Sequence, residues 1–402
     1  MSFRHSGLVV RDMRDHVGSK TLGVGMIGYN IGRVHSHAWL NMPLYYNPPP
    51  ARPILVGICG RDSERVKKFA DKFGYKQTYT DWATMIKNPE IDVIDICTPP
   101  NIHATVSISA CESGKHVICE KPLARTAKEA ELMLRAAEKA RVKHMAAFNY
   151  RFIPAVSYAR QRIQEGFIGR ILNFRGAYLN IEVGDLGYLN PSAPLDWHFK
   201  TETAGYGAVA DLGSHIIDIA RFLTGDITSV AAATACFIKE RPMPGAPEKK
   251  GKVEVEDASV AAIKFENGAL GTIETSWLAP GRKDFLRFEV NGSEGSLRFN
   301  LERINELEVF SLKDAHANRG FRDVLTTSKV HPFMENFWIE QGGGFGWDHA
   351  FVNEVYHFTD CIVNDKQVQP IGATFLDGYK NCLVMDAIID SAQQERWLAV
   401  KG

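Results

Sequence analysis

The chain has 402 residues, 45% of them hydrophobic, with 47 lysines plus arginines balanced by 47 aspartates plus glutamates. That length accommodates two or three domains around a substantial core, and the absence of net charge removes the field that a nucleic acid or an anionic membrane would need. A small, neutral or mildly charged molecule is the expected partner. The seven cysteines are odd in number, scattered through apolar runs and without CxxC or Cys/His spacing; they read as small buried hydrophobes in a reducing compartment, with no metal site. The first twenty residues hold no apolar run of signal-peptide length, and no segment reaches membrane-spanning length. The expectation is a cytoplasmic protein whose residues 1–20 form a flexible tail or an arm that grips a partner subunit.

From Thr21 to about Phe148, short apolar runs alternate with helical stretches. "LGVGMI", "PILVGIC", "IDVIDIC", "KHVIC" and "KHMAAF" read as strands, and "SERVKKFADKF" and "TAKEAELMLRAAEKA" as helices, the latter opened by a capping box of Thr126 and Glu129. This alternation predicts an α/β protein whose N-terminal part, residues 21–148, is a dinucleotide-binding Rossmann domain with a doubly wound parallel sheet. After Tyr150 a helical stretch over 154–165 leads into "GRILNFRGAYLNIEV". From Thr228 to about Phe310, strand-like runs follow one another with turns at "FENGAL" and "NGSEG". Together with helical patterns over 206–225, after Trp347 and after Ala373, they predict a C-terminal α+β domain over 149–402, with a large, mostly antiparallel open sheet. Its own helices cover one face, so the other is expected to carry a subunit contact. The "QGGGFG" stretch reads as a connector, with a hinge or lid near the cleft as the alternative.

Several strand ends carry chemistry. The first strand runs into "GMIGYNIGRVHSHAW", where Gly28, Tyr29, Asn30 and Ile31 form a turn of the kind that lets backbone approach a pyrophosphate at a helix start. The turn departs from G-x-G-x-x-G: Asn30 stands near the middle glycine's place, and the loop is one residue short. A glycine-rich turn without ligand is the alternative. After the second strand, Gly60 and Arg61 occupy the place of the usual ribose-binding acid; Arg61 either pairs with a 2′-phosphate, which favours NADP, or lies across the adenine. Asp62 or Ser63 caps the next helix. "IDICTPPNIHA" sets Thr98, Pro99, Asn101 and His103 in a rigid polar loop beyond a buried strand, for ligand contact or, at Asn101, a helix cap. "KHVICEKPLART" places Lys121 at the same edge. There a lysine beside a nicotinamide hydrogen-bonds a reacting oxygen, with Glu120 as counter-charge or cofactor contact and Pro122 fixing the turn.

Further on, Asp211, His215 and Asp218 in "ADLGSHIID" are four and three residues apart and fall on one helical face. A carboxylate one turn from a histidine orients the imidazole for general acid–base work, the alternative being a structural histidine. In "YLNPSAPLDWHFKTETAGYG", Trp197 suits stacking on a sugar ring, and Asp196, His198 or Lys200 suits its hydroxyls; a loop pinned by a buried tryptophan is the other reading.

Taken together, "CEKPLA" and "DLGSHIID" make the chain resemble the Gfo/Idh/MocA family over roughly residues 20 to 395. "HMAAFNYRFIPAV", "GFIGRILNFRGAYL", "HIIDIARFL" and "FEVNGSEGSLRFN" look like its levoglucosan dehydrogenase and inositol dehydrogenase branch. The resemblance implies that Lys121, Asp211 and His215 are catalytic and that Tyr150, after the sixth strand, borders a substrate pocket with Trp197 and His198. It also implies NAD as cofactor, with Arg61 keeping NADP open, and a homodimer or homotetramer. The implied reaction is oxidation of a secondary ring hydroxyl of a sugar, anhydrosugar or cyclic polyol to a ketone, or the reverse. "DWHFK" departs from that branch, which tends to carry arginine in place of His198, so levoglucosan itself is not implied. Two other functions remain on the sequence: an NAD-dependent glycosidase working through a transient ketone, and a non-catalytic cofactor-binding sensor. Sensing needs no lysine, aspartate and histidine together.

Overall fold

A computed structural model describes residues 20–181, 187–190, 192–337 and 343–402. The N-terminal tail over 1–19 and the Gln341-Gly342 start of "QGGGFG" lie outside the described residues. The first sheet comprises β1 (Thr21–Ile27), β2 (Arg52–Cys59), β3 (Gln77–Tyr79), β4 (Val93–Ile96), β5 (His116–Glu120) and β6 (His144–Ala147), all parallel, in the order β3-β2-β1-β4-β5-β6. β1, β4 and β5 are sealed on both faces, which is why they read as unbroken apolar runs. Helices α1 (Gly32–Tyr45), α2 (Ser63–Phe73), α3 (Trp82–Ile86), α4 (His103–Glu112) and α5 (Ala127–Ala140) connect them.

Helix starts follow local chemistry. Asp62 accepts the amides of Glu64 and Arg65 at the head of α2. At α5, Thr126 accepts the Glu129 amide, but the Glu129 carboxylate turns to the amide and guanidinium of Arg125 rather than back to Thr126. Only half of the expected capping box forms, because a cation one residue upstream outcompetes a neutral amide.

After α6 (Pro154–Gln164) comes the second sheet. Its strands are β7 (Ile171–Leu179), β8 (Ile227–Ala235), β11 (Ala258–Phe265), β12 (Leu270–Ser276), β13 (Phe285–Gly292), β14 (Gly295–Asn300), β15 (Glu306–Ser311), β16 (Arg322–Leu325) and β17 (Leu398–Ala399). They run in the order β16-β15-β14-β13-β7-β12-β11-β8-β17, with β7 and β12 parallel and every other pair antiparallel. The strands β9 (Glu240–Met243) and β10 (Ala246–Lys252) make a separate hairpin, which the sequence hid because "RPMPGAPEKKGK" is proline- and lysine-rich. Helices α7 (Thr201–Ala204), α8 (Ser214–Thr224), α9 (Trp347–Val363) and α10 (Phe375–Gln394) complete the chain. α8 and α10 pack on one face of the large sheet, while Val260, Leu270 and Trp397 stay exposed. α9 returns to the first sheet's layer and packs on α1, where the Tyr46 hydroxyl donates to Asn353 at 2.8 Å.

The helical pattern over 206–225 is not one α-helix. Gly207 passes so close to the segment leading into β11 that a Cβ there would stand 2.0 Å from the Glu256 carbonyl oxygen, and residues Val209–Gly213 form a π-helical turn before α8 begins.

Candidate active site

A cavity of about 550 Å³ opens where the carboxyl edge of the parallel sheet faces one edge of the large sheet. The register explains what arrives there. β7 and β12 run parallel and β13 antiparallel, and Leu179 pairs with both Ser276 and Phe285. Tyr178, Trp277 and Asp284 therefore reach the same edge. From the first sheet the walls are Asn30, Ile31, Thr98, Pro99, Glu120 and Lys121.

The first-sheet side fits a dinucleotide. α1 has no side-chain cap and no acidic residue in its first turn, which leaves its amides and positive end for an anion such as a pyrophosphate. Gly28 has φ +97°, and a Cβ on it would lie 2.2 Å from the Cys97 carbonyl oxygen, so only glycine fits the bend from β1 into that helix. Beside it the Thr98 hydroxyl is buried without a partner among the described residues. Gly60 lies under the Tyr29 ring, where a Cβ would stand 2.6 Å from it, and Arg65 rather than Arg61 sits over that ring at 5.0 Å. Gly28, Tyr29, Gly60 and Arg61 do not line the cavity, and Arg61 is exposed. Asn101 neither caps α4 nor lines the cavity. His103 is fully buried: Nε2 meets the Thr98 carbonyl at 2.7 Å, while Nδ1 meets those of Pro122 at 3.1 Å and Leu123 at 3.3 Å. Its ring ties the loop after β4 to the turn after β5, and burial holds its pKa below the ordinary value.

Lys121 and Asp211 meet in the cavity. The lysine Nζ donates to Asp211 Oδ1 at 2.7 Å and to the Asp211 carbonyl at 3.0 Å, and Trp277 Nε1 donates to Oδ2 at 2.9 Å. Burial on its own would raise the Asp211 carboxyl; Lys121 overrides it and holds it well below the usual carboxylate range. The Lys121–Pro122 peptide is cis.

His215 also lines the cavity, 4.5 Å from the Tyr150 ring and 5.8 Å from the Tyr178 ring between centroids. Its Nδ1 is sealed without a partner among the described residues, leaving Nε2 as the nitrogen for the cavity. Burial and then the Lys121 ammonium push its pKa well below the ordinary value, so the imidazole is neutral at neutral pH. The expectation that Asp211 orients His215 is corrected here. The π turn adds a residue and rotates the Asp211 carboxylate toward Lys121 and Trp277, and it makes no hydrogen bond to the imidazole. Asp218, placed on the same predicted face, is away from the cavity in a buried bidentate pair with Arg151 at 2.6 and 2.7 Å.

Trp197 and His198 line the opposite wall from a short 3₁₀ turn, their rings stacked at 3.6 Å. Asp196 holds that turn, accepting the His198 amide and meeting its Nδ1, both at 2.9 Å.

Sequence reasoning missed Tyr178, Trp277, Asp284 and Trp347, which reach the cavity only through strand register and the packing of α9. It also missed His35. That ring bridges Asp95, at 3.1 Å from Nδ1, and Glu120, at 2.9 Å from Nε2, while Trp39 donates to Asp95 at 2.7 Å. Burial opposes charge on His35, but Asp95 wins and raises its pKa well above the ordinary value. Glu120 is thus the counter-charge of His35, not of the Lys121 ammonium, and its second oxygen accepts the Lys121 amide. The visible signal was Asp95 inside the apolar run "IDVIDIC", since a buried carboxylate demands a partner. His35, Asp95 and Cys97 offer donor atoms within 4.8 Å of one another. Both His35 nitrogens are committed to carboxylates, and burial pushes the Cys97 thiol up so that it donates to Asp95 at 3.3 Å; the cluster is an ion-paired, hydrogen-bonded network rather than a set of open metal ligands.

Fold and cleft together define a class: an NAD-binding oxidoreductase with a Rossmann sheet and a second sheet that closes the site. Residues 22–148 match the oxidoreductase family with NAD-binding Rossmann fold, and residues 156–298 match the GFO/IDH/MocA C-terminal domain. The chain belongs to the GFO/IDH/MocA family, as the resemblance implied. It is 40% identical over 393 residues to levoglucosan dehydrogenase of Pseudarthrobacter phenanthrenivorans, across 95% of this chain and 98% of that protein. It is 27% identical to myo-inositol 2-dehydrogenase of Thermotoga maritima, across 93% and 97%. A levoglucosan dehydrogenase structure in complex with NADH and levoglucosan superposes with a TM-score of 0.90 at 41% identity, covering 95% of this chain and all of that one.

Proposed function

We propose that the chain oxidises a secondary ring hydroxyl of a neutral sugar, anhydrosugar or cyclic polyol to a ketone, or reduces the ketone. The observation that carries this reading is the convergence of Lys121, Asp211 and neutral His215 on one cavity that is continuous with the dinucleotide edge. Bound NAD supplies the hydride acceptor. Lys121, held by Asp211, gives a hydrogen bond to the carbinol oxygen, and His215 Nε2 takes its proton. Tyr150 and Tyr178 wall the imidazole from water, and the Trp197–His198 stack carries the ring's apolar face. Proton transfer of this kind contributes roughly a hundred- to ten-thousand-fold. Residues 21–148 hold the cofactor, NAD rather than NADP being supported by the NADH of the levoglucosan dehydrogenase structure, and 149–402 supply the substrate wall. The exposed sheet face around Val260, Leu270 and Trp397 is the surface for a homodimer or homotetramer. Levoglucosan and the inositols are the first substrates to try. Lys121→Ala and His215→Ala should each lose at least a hundredfold in turnover while still binding NADH; wild-type turnover in both would end this reading.

A further inference from the structure

Among the groups that line the cavity, the Asp284 carboxylate takes no part in the reaction proposed above, yet it is the end point of a directed chain. Trp347 Nε1 donates to the Tyr150 oxygen at 3.3 Å, the Tyr150 hydroxyl lies 2.9 Å from that of Tyr178, and Tyr178 donates to Asp284 Oδ1 at 2.6 Å. The direction is fixed, since an indole nitrogen only donates and a carboxylate only accepts. Tyr150 must therefore give its proton to Tyr178, and neither tyrosine keeps a hydroxyl hydrogen for a ligand. Asp284 is half-buried and faces the same cavity as Lys121 and Asp211; among the described residues its side chain makes no hydrogen bond other than that to Tyr178 and pairs with neither of the two. Its Oδ2 remains an acceptor held at a fixed place by three aromatic residues.

We infer that Asp284 is a specificity-determining residue of this site, its Oδ2 accepting a hydrogen bond from a second ring hydroxyl, other than the one oxidised, of a neutral polyhydroxylated ring. The inference rests on the dehydrogenase reading for which hydroxyl is oxidised, but the subsite is defined by binding alone. A charge-assisted hydrogen bond is stronger than a neutral one. A site built to bind a hydroxyl also rejects an analogue that lacks it, because its buried polar group is then left unpaired.

The test titrates inositols, glucose, xylose and levoglucosan into the NADH-loaded protein by calorimetry, alongside steady-state kinetics. For the ring the wild type prefers, Asp284→Asn should raise Kd and KM at least tenfold, about 1.4 kcal/mol, the loss falling on KM rather than kcat. Tyr178→Phe, which frees Oδ1 but keeps the carboxylate, should raise Kd by a smaller factor, about threefold, on the same scale. Deoxy analogues of the preferred ring, each lacking one hydroxyl, should include one that wild type and Asp284→Asn bind equally, a merely structural role being unable to produce that match. Unchanged Kd in both variants, or no binding of any neutral ring by the wild type, overturns the subsite. Binding that depends on Asp284 without reduced nicotinamide would keep the subsite and overturn the dehydrogenase reading; turnover with KM unaltered in both variants would do the opposite.

Discussion

Asp211→Asn separates the site's two carboxylate roles most sharply. Asp211 Oδ1 takes Lys121 at 2.7 Å and Oδ2 takes Trp277 at 2.9 Å, so both oxygens accept from donors. An amide satisfies only one of them and turns its own N–H toward the other. The side chains of Lys121 and Asp211 are 19% and 28% exposed. Removing one partner of a fully buried pair costs about 3–5 kcal/mol, and an exposed pair is worth at most about 1 kcal/mol. For this geometry about 2–3 kcal/mol follows. Expressed in the positioning of Lys121, it lowers kcat/KM about 30- to 150-fold, measured by reduced-nicotinamide absorbance beside an NADH fluorescence titration that should stay near wild type. Asp211 raises the His215 pKa, so its loss should also move the acid limb of kcat/KM to lower pH. Asp218→Asn is the control. The Asp218–Arg151 pair is 1% and 3% exposed and lies off the cavity, so its cost, about 3–5 kcal/mol, should appear in thermal stability while the folded fraction keeps its turnover. The reasoning fails if Asp211→Asn retains wild-type kcat/KM, or if Asp218→Asn melts like the wild type and is inactive.

The remaining tests address fold, pH and assembly. Gly28→Ala places a Cβ 2.2 Å from the Cys97 carbonyl at φ +97° and should weaken NADH binding at least tenfold, about 1.4 kcal/mol, in a fluorescence titration; wild-type affinity would remove Gly28 from the cofactor cradle. His144 Nδ1 accepts the Phe375 amide at 3.0 Å, and burial pushes the imidazole down from 6.5 to about 4. As pH falls the unfolded chain protonates first, so stability complete above pH 6.5 is lost between pH 6.5 and 4, roughly 3 kcal/mol from this group. Denaturation midpoints at pH 7 and pH 4.5 should therefore differ less for His144→Gln than for the wild type, and equal differences would sink the assignment. Val260→Asp on the open sheet face should convert the proposed oligomer to monomer by light scattering, and a monomeric wild type would dispose of that surface as a subunit contact.

Much of the fold was legible because it rests on local periodicity. Parallel strands buried on both faces show as apolar runs such as "VIDI" and "HVICE", and Lys121 at the end of one of them was visible without any tertiary information. The hairpin of β9 and β10 was hidden because its pairing overrides poor strand propensity. At the site, Lys121, Asp211 and His215 do share a cavity, but their connections were misjudged. A helical wheel assumes a uniform pitch, and the π turn at Val209–Gly213 breaks it, sending Asp211 to Lys121 while Asp218 pairs with Arg151. Tyr178 lies on β7, far in sequence from Trp277 and Asp284 at the facing ends of β12 and β13, and only the register Leu179–Ser276 and Leu179–Phe285 brings all three to one edge. His103 looked like a ligand contact because its loop ends a buried strand; its ring instead spans two such loops from below.

The measurement closest to the central claim is the stoichiometry of reduced nicotinamide to ketone when the purified protein and NAD meet levoglucosan, the inositols and simple glycosides. The site described here predicts one reduced nicotinamide per ketone formed, with Lys121→Ala abolishing both together. Release of sugar from a glycoside without net reduced cofactor would contradict it and mark the same residues as those of a glycosidase that returns its hydride.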